Sequence, residues 1–90
     1  MPRYVVQRSF PDGLQIPIDN AGVELCRRVI ERNAREGVTW VTSFVSEDRA
    51  RTFCVYDAPT PEAIRRAAAH NLLPVEEITR VSVLDPYFYK

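Results

Sequence analysis

The alternation of apolar and polar positions predicts six elements in the order strand, helix, strand, strand, helix, strand. The four predicted strands cover residues 3–10, 38–47, 51–57 and 78–84, which are rich in β-branched and aromatic side chains. Pro11-Asp12-Gly13 ends the first strand as a turn. The two central strands form a hairpin around Glu47-Asp48-Arg49. A connector, residues 11–18, precedes the first helix and is a candidate rim for a binding site.

Capping residues and apolar stripes define the two helices. Asp19 is the predicted cap of the first, with a staple between Ile18 and Val23, and Gly37 is its stop signal. Its predicted apolar stripe consists of Leu25, Cys26, Val29 and Ile30. The second helix begins at Thr60-Pro61, where a hydroxyl cap precedes proline at the first helical position, and Asn71 marks its end. Its buried stripe is Ile64, Ala67 and Ala68.

These elements predict one α+β domain over residues 1–90, with a four-stranded antiparallel sheet and both helices on one face. The hairpin carries apolar residues in both alternating sets, so the face without helices is partly apolar. A second copy of the chain would cover that face. We therefore expect a homodimer whose joined sheets enclose a mixed polar and aromatic cavity around Trp40 and Tyr56. The aromatic tail Tyr87-Phe88-Tyr89 is expected to dock on the same or the neighbouring subunit.

The charge balance and the cysteine content limit which partners and which cellular compartment we expect. Twelve basic and twelve acidic residues cancel, so no broad field attracts a nucleic acid or a membrane surface. No signal peptide or membrane-length apolar run is present, which favours a cytoplasmic protein. Cys26 and Cys54 lack metal-ligand spacing and are expected to be reduced, small apolar residues.

Few residues are candidates for catalysis or metal binding. His70 is the sole histidine, and its place near a helix end is typical of a surface residue, although it is also the one imidazole available to a metal. The sequence contains no glycine-rich phosphate loop, nucleophile elbow or paired-histidine motif. We therefore assign no catalytic residue. The candidates for lining a ligand cavity are Trp40, Cys54 and Tyr56, and the candidate metal ligand is His70.

One long stretch, VTWVTSFVSEDRARTFCVYDAPTPEAIRRAA, resembles a family of small, mostly bacterial ferredoxin-like proteins named after a nickel-binding actinobacterial member. The most recognisable parts are the Gly37-Val38-Thr39 entry, the Ser46-Glu47-Asp48 tip, the Phe53-Cys54 pair and the helix start at residues 58–62. The resemblance implies a ferredoxin-like protomer paired as a dimeric α+β barrel, and it suggests nickel as a cofactor. The first strand carries Gln7 and Arg8, with no histidine that would suit nickel.

The leading hypothesis is a small homodimeric binding protein for a divalent metal such as nickel or for a small ligand. Two alternatives stay open: a cofactor-independent monooxygenase or isomerase of the dimeric α+β barrel type, and a structural dimer with no ligand. The enzyme alternative rests on fold analogy alone, so the sequence favours a binding protein over an enzyme.

Overall fold

The computed structural model describes residues 1–16 and 20–87. Its elements are β1 (Arg3–Ser9), α1 (Asn20–Arg35), β2 (Thr39–Val45), β3 (Arg51–Asp57), α2 (Pro61–His70) and β4 (Glu77–Val81). The order βαββαβ is the predicted one. The last strand is shorter than expected, because the chain leaves the sheet after Val81. Two turns also follow the prediction: Gly13 N–H donates to the Phe10 carbonyl (2.9 Å), and Gly37 stands in the left-handed region after α1.

The four strands form one sheet in the order β2-β3-β1-β4, with every neighbouring pair antiparallel. This is the ferredoxin-like topology. Directly paired residues share a face, so the registers define two faces. The inner face, which the helices cover, contains three rows: Val45-Thr52-Arg8, Ser43-Cys54-Val6-Ile78 and Trp40-Tyr56-Tyr4-Arg80. The open face contains Phe44-Phe53-Gln7-Glu77, Thr42-Val55-Val5-Thr79 and Thr39-Asp57-Arg3-Val81.

A β-bulge in β2 decides which aromatic residue faces the helices. The register with β3 shifts between Trp40 and Thr42, which leaves Val41 as an extra residue. Strict alternation would place Trp40 and Phe44 on the same face. Because of the bulge, Trp40 joins the inner face and Phe44 the open face. The inner position of Trp40 is fixed by its indole N–H, which donates to Ser43 Oγ at 2.7 Å.

Helix α2 packs closely against the inner face. Thr60 is its N-cap and accepts from the Ala63 N–H at 3.1 Å, and Asn71 is its C-cap, both as predicted. Ile64, Ala67 and Ala68 are buried, which confirms the predicted stripe. Ala63 is buried as well. Small side chains let this helix approach the sheet, so the core lies between α2 and the inner face; its members are Tyr4, Val6, Val38, Cys54, Tyr56, Ala58, Ala63, Ile64 and Ala67.

Helix α1 turns three of its four predicted stripe residues toward the sheet, and the exception is Ile30. Its buried residues are Gly22 and Asn33, and Leu25, Cys26 and Val29 are half-buried between them. The stripe that faces the sheet therefore runs through positions 22, 25, 26, 29 and 33, which is helical spacing. Ile30 lies at the edge of this stripe and is 52% exposed, so its predicted burial was wrong. The predicted cap Asp19 and the Ile18 side of the staple lie outside the described residues.

No described residue of this chain forms a layer over the open face. Val5, Phe53 and Val55 are half-buried there, and Phe44 is 64% exposed. Of the aromatic tail, Tyr87 is 89% exposed, so this residue does not dock on its own chain. Docking on a neighbouring subunit, the other expected arrangement, stays a prediction. Phe88 and Tyr89 lie outside the described residues.

Candidate functional site

A cavity of about 380 Å³ separates α1 from the sheet. We call it the inner cavity. Its wall comes from four parts of the chain: the connector after β1, helix α1, the inner sheet face and the segment after α2. The lining residues are Arg8, Phe10, Gly13, Leu14, Gln15, Ile16, Leu25, Cys26, Val29, Arg32, Trp40, Ser43, Val45, Thr52, Cys54, Tyr56, Asn71 and Leu73. Most are apolar or aromatic, and a few polar groups stand among them, as is typical of small-molecule sites.

The three residues predicted to line a cavity, Trp40, Cys54 and Tyr56, lie together in this wall. Their expected surroundings were wrong. We predicted a space between the joined sheets of two subunits, but the bulge and the registers put all three on the inner face. Within the described structure, the cavity that they line belongs to one chain. The cavity lies under α1 because the two helices pack differently on the sheet. The alanines of α2 allow close contact, whereas the half-buried stripe of α1 faces the sheet across the cavity.

Arg8 is the most unusual group in the cavity wall. It occupies the last inward position of β1 and is only 3% exposed. Its Nη1 donates to the Tyr56 hydroxyl oxygen at 3.3 Å, and its Cζ lies 5.6 Å from the centre of the Tyr56 ring. Its Nε is buried and has no hydrogen-bond partner. Among the described residues, no carboxylate forms an ion pair with it.

Sequence reasoning missed Arg8, although a signal was present. Tyr4, Val6 and Arg8 form the alternating set of β1 that also contains the core residues. A charged residue in the core-facing set of a strand is uncommon, because buried charges are costly unless they are paired. We read Arg8 only as a position where histidine was absent. Its place in the alternation would have identified it as a buried cation.

Tyr56 is held in its neutral form. Burial raises its pKa to about 12, and the neighbouring Arg8 cation opposes that shift only in part. At neutral pH the phenol therefore keeps its proton. Its oxygen accepts from Arg8, and its O–H is a donor for a neighbouring group, which is the Cys54 thiol in this structure or an acceptor on a ligand.

The two thiols, Cys26 on α1 and Cys54 on β3, both line the inner cavity and are unbridged. Cys54 is buried, and its Sγ lies 3.7 Å from Thr52 Oγ1. Both are small, weakly polar parts of an otherwise apolar wall.

The connector after β1 forms the rim of the cavity. Leu14 N–H donates to the Arg49 carbonyl at 2.8 Å, and Arg49 Nε donates to the Leu14 carbonyl at 3.1 Å, so the hairpin tip holds this segment in place. A second groove, of about 500 Å³, is lined by residues 12–16, Asp48 and Arg49. It is open to solvent. The Asp48 carboxylate there accepts from Ser46 and from the Ala50 N–H, so it is already engaged. The inner cavity is more enclosed and more apolar, and it is the better candidate site.

His70, the candidate metal ligand, does not belong to any cluster of metal-ligating side chains in the described residues. It is exposed at the end of α2, and its Nε2 lies 3.4 Å from Glu36 Oε1. The same carboxylate accepts from Arg66 Nε at 2.8 Å, and this bond is the main cause that lowers the pKa of Glu36. In the described parts of the chain, no group of three or more His, Cys, Asp or Glu side chains is placed to hold a metal ion.

No helix among residues 1–16 and 20–87 combines the length and the apolar character needed to cross a bilayer.

Comparison with known proteins agrees with this architecture. The crystal structure of SCO4226 from Streptomyces coelicolor A3(2) superimposes with a TM-score of 0.73, covering 92% of this chain and 99% of that one. The two sequences are 13% identical, so this similarity shows the fold alone. No protein of curated function matches the sequence. The sequence profile of one family, described as nickel responsive protein SCO4226-like, matches residues 4–81. That match spans most of the chain and confirms the resemblance noted in the sequence, so the chain belongs to the SCO4226-like family of nickel responsive proteins.

Proposed function

We propose that this protein binds a small molecule and that the inner cavity holds it. The observation that carries this proposal is the cavity itself, about 380 Å³ between α1 and the sheet of one chain. Ligand sites are concave, mostly apolar and furnished with a few polar groups, and their volumes start at about 300 Å³. The inner cavity meets each of these conditions. A purely structural domain has no need for such a space, since a gap in the core costs stability.

Binding is favoured over catalysis by the chemistry of the wall. General acid–base catalysis needs a group whose proton equilibrium lies near neutral pH, and carboxylates and imidazoles are the usual ones. The described lining contains neither. Tyr56 stays protonated because burial raises its pKa to about 12, so it serves as a hydrogen-bond donor and not as a base.

A cavity-filling variant tests the site. Val29→Phe adds a ring to the α1 side of the cavity, and Val23→Phe adds the same ring to the same helix at a position that is 64% exposed. We expect calorimetry with the neutral probe 3-phenylpropanol to show saturable binding by the wild type and by Val23→Phe, and loss of binding by Val29→Phe. Equal binding by both variants would contradict the proposed site.

Nickel is a second candidate ligand, and the family description supports it. The described residues do not fit a nickel site, because no cluster of ligating side chains forms and His70 has only Glu36 near it. The inner cavity is also unsuited to a divalent cation, since Arg8 places an unpaired positive charge in its wall. A nickel site would therefore need ligands that one described chain does not bring together.

Calorimetric titration with nickel chloride at neutral pH, on the wild type and on His70→Ala, tests this candidate. Stoichiometric binding that His70→Ala abolishes would support nickel and His70 as a ligand. A titration without binding heat would exclude nickel as a ligand of this protein.

We also propose that a second copy of the chain covers the open face. The support is an apolar strip across the centre of that face, formed by Phe44, Phe53, Val5 and Val55, in a chain whose other sheet face is already covered. Phe44→Glu would place a charge in this strip, whereas Val23→Glu changes a residue of equal exposure, 64%, on α1. Light scattering should show a dimer for the wild type and Val23→Glu and a monomer for Phe44→Glu. A monomeric wild type would overturn the dimer without touching the inner cavity.

A further inference from the structure

The wall of the inner cavity contains a buried positive charge, that of Arg8. Arg8 is a cation throughout the physiological pH range, and it is 3% exposed. Its one side-chain hydrogen bond in the described chain goes to a neutral oxygen, that of Tyr56. A guanidinium carries five N–H donors in a planar fork that matches a carboxylate. Most of that capacity is unused by the described residues, and none of them supplies an acceptor for the buried Nε.

A buried cation without an anionic partner is unfavourable. Two explanations compete. If Arg8 only supported the fold, an acceptor from the chain would be expected at its Nε, as Asp57 provides for Arg3 at 2.7 Å. Residues 1–16 and 20–87 offer Arg8 Nε no such acceptor, yet Arg8 lines a cavity. The missing acceptor is therefore most simply supplied by a ligand.

The rest of the cavity wall is mostly apolar, which determines what the remaining part of a ligand must be. Leu25 and Val29 face the cavity from α1, Trp40 faces it from the sheet, and Leu14 and Leu73 close it from the connector and from the segment after α2. These side chains favour an apolar or aromatic body. The Tyr56 O–H adds a second donor beside the guanidinium.

We propose that the ligand of the inner cavity is a small apolar or aromatic carboxylate, whose anionic head pairs with Arg8 and accepts from the Tyr56 hydroxyl. This inference rests on the proposed function, since it requires that the cavity bind a small molecule. It goes further because it distinguishes anionic ligands from neutral ones of the same shape. It also names Arg8 as the residue that determines this specificity.

Three probes of nearly equal size test the charge preference: 3-phenylpropanoate, 3-phenylpropanamide and 3-phenylpropanol. Calorimetry gives the affinities, and the fluorescence of Trp40, the single tryptophan, reports occupation of the cavity. We expect the carboxylate to bind the wild type at least about tenfold more tightly than the amide, because hydrogen bonds to a charged pair are stronger than neutral ones.

Variants assign that preference to Arg8. Arg8→Met should weaken the carboxylate at least about tenfold and leave the affinity for the alcohol within about threefold of the wild type, since the apolar walls are unchanged. Arg8→Gln keeps a donor and loses the charge, and it serves as the second variant should Arg8→Met fail to fold. The matched control is Arg3→Met, on the same strand but on the open face, which should bind all three probes as the wild type does.

The outcomes separate the two proposals. Equal binding of the carboxylate and the amide by the wild type, or an unchanged carboxylate affinity in both Arg8 variants, would overturn this inference and leave the cavity as a site for neutral ligands. Failure of all three probes to bind the wild type would overturn the proposed function together with it.

Discussion

Replacement of Arg8 by methionine should stabilise the ligand-free protein. Methionine has similar length and keeps the apolar stem in place, but removes a charge that is 97% shielded from solvent, Arg8 being 3% exposed. In the wild type, one hydrogen bond to Tyr56 contributes about 1.5–3 kcal/mol and the contact with its ring about 0.5–2 kcal/mol. Against these stands the burial of an ion, which costs several kcal/mol; replacement of a buried ion pair by apolar residues is often neutral or stabilising by about 1–4 kcal/mol.

We therefore expect Arg8→Met to raise the free energy of unfolding by about 1–3 kcal/mol. For a domain of this size each kcal/mol shifts Tm by about 4–8 °C, so thermal unfolding followed by circular dichroism will resolve the change. The variant leaves the Tyr56 hydroxyl without its donor, and Arg8→Met/Tyr56→Phe removes that remaining cost. Arg3→Met is the control on the same strand: it breaks the ion pair with Asp57 and should lower Tm slightly.

A lower Tm than the wild type for both Arg8→Met and Arg8→Met/Tyr56→Phe would refute the reasoning. It would mean that Arg8 supports the fold and is not held in an unfavourable state for a ligand. A rise in Tm together with loss of carboxylate binding is the trade between stability and function that the structure predicts.

Three further predictions concern the frame around the site. Thr60→Ala removes the side-chain acceptor for Ala63 N–H and should cost about 1 kcal/mol in urea unfolding, whereas Thr60→Ser should cost much less. Ile64→Ala opens a hole at a position that is 1% exposed and should cost about 2–5 kcal/mol, with a smaller loss for Ile64→Val. The Arg3 hydrogen bond lowers the pKa of Asp57, so this carboxylate stabilises the fold above its unfolded pKa of about 4 and loses that effect as the pH falls through its folded pKa. Asp57→Asn should therefore show a shallower loss of Tm below about pH 4 than the wild type, and an identical acid profile would contradict the role of the pair.

Much of the fold was predictable because its signals are local. The cap at Thr60, the proline that follows it, the glycine after α1 and the hairpin turn each act within a few residues, and the structure has all four. Alternation in β1 and β3 predicted the strands themselves. Such signals need no knowledge of distant contacts.

The site was less predictable because it depends on two non-local facts. The bulge at Val41 moves Trp40 and Phe44 to opposite faces, and nothing in the composition of β2 marks it. The gap beneath α1 depends on how that helix rests against α2 and β2, which periodicity cannot specify. We predicted that Trp40, Cys54 and Tyr56 would share a cavity, but we placed it between two subunits and overlooked Arg8.

The most direct test of the central claim is an NMR measurement of where a bound carboxylate lies. With ¹³C-labelled methyl groups and 3-phenylpropanoate, intermolecular NOEs should connect the ligand to Leu25 and Val29 of the inner cavity. Val5 and Val55 on the open face serve as internal controls and should show none. NOEs to the open-face valines alone would contradict the account, because they would place the ligand on the other side of the sheet.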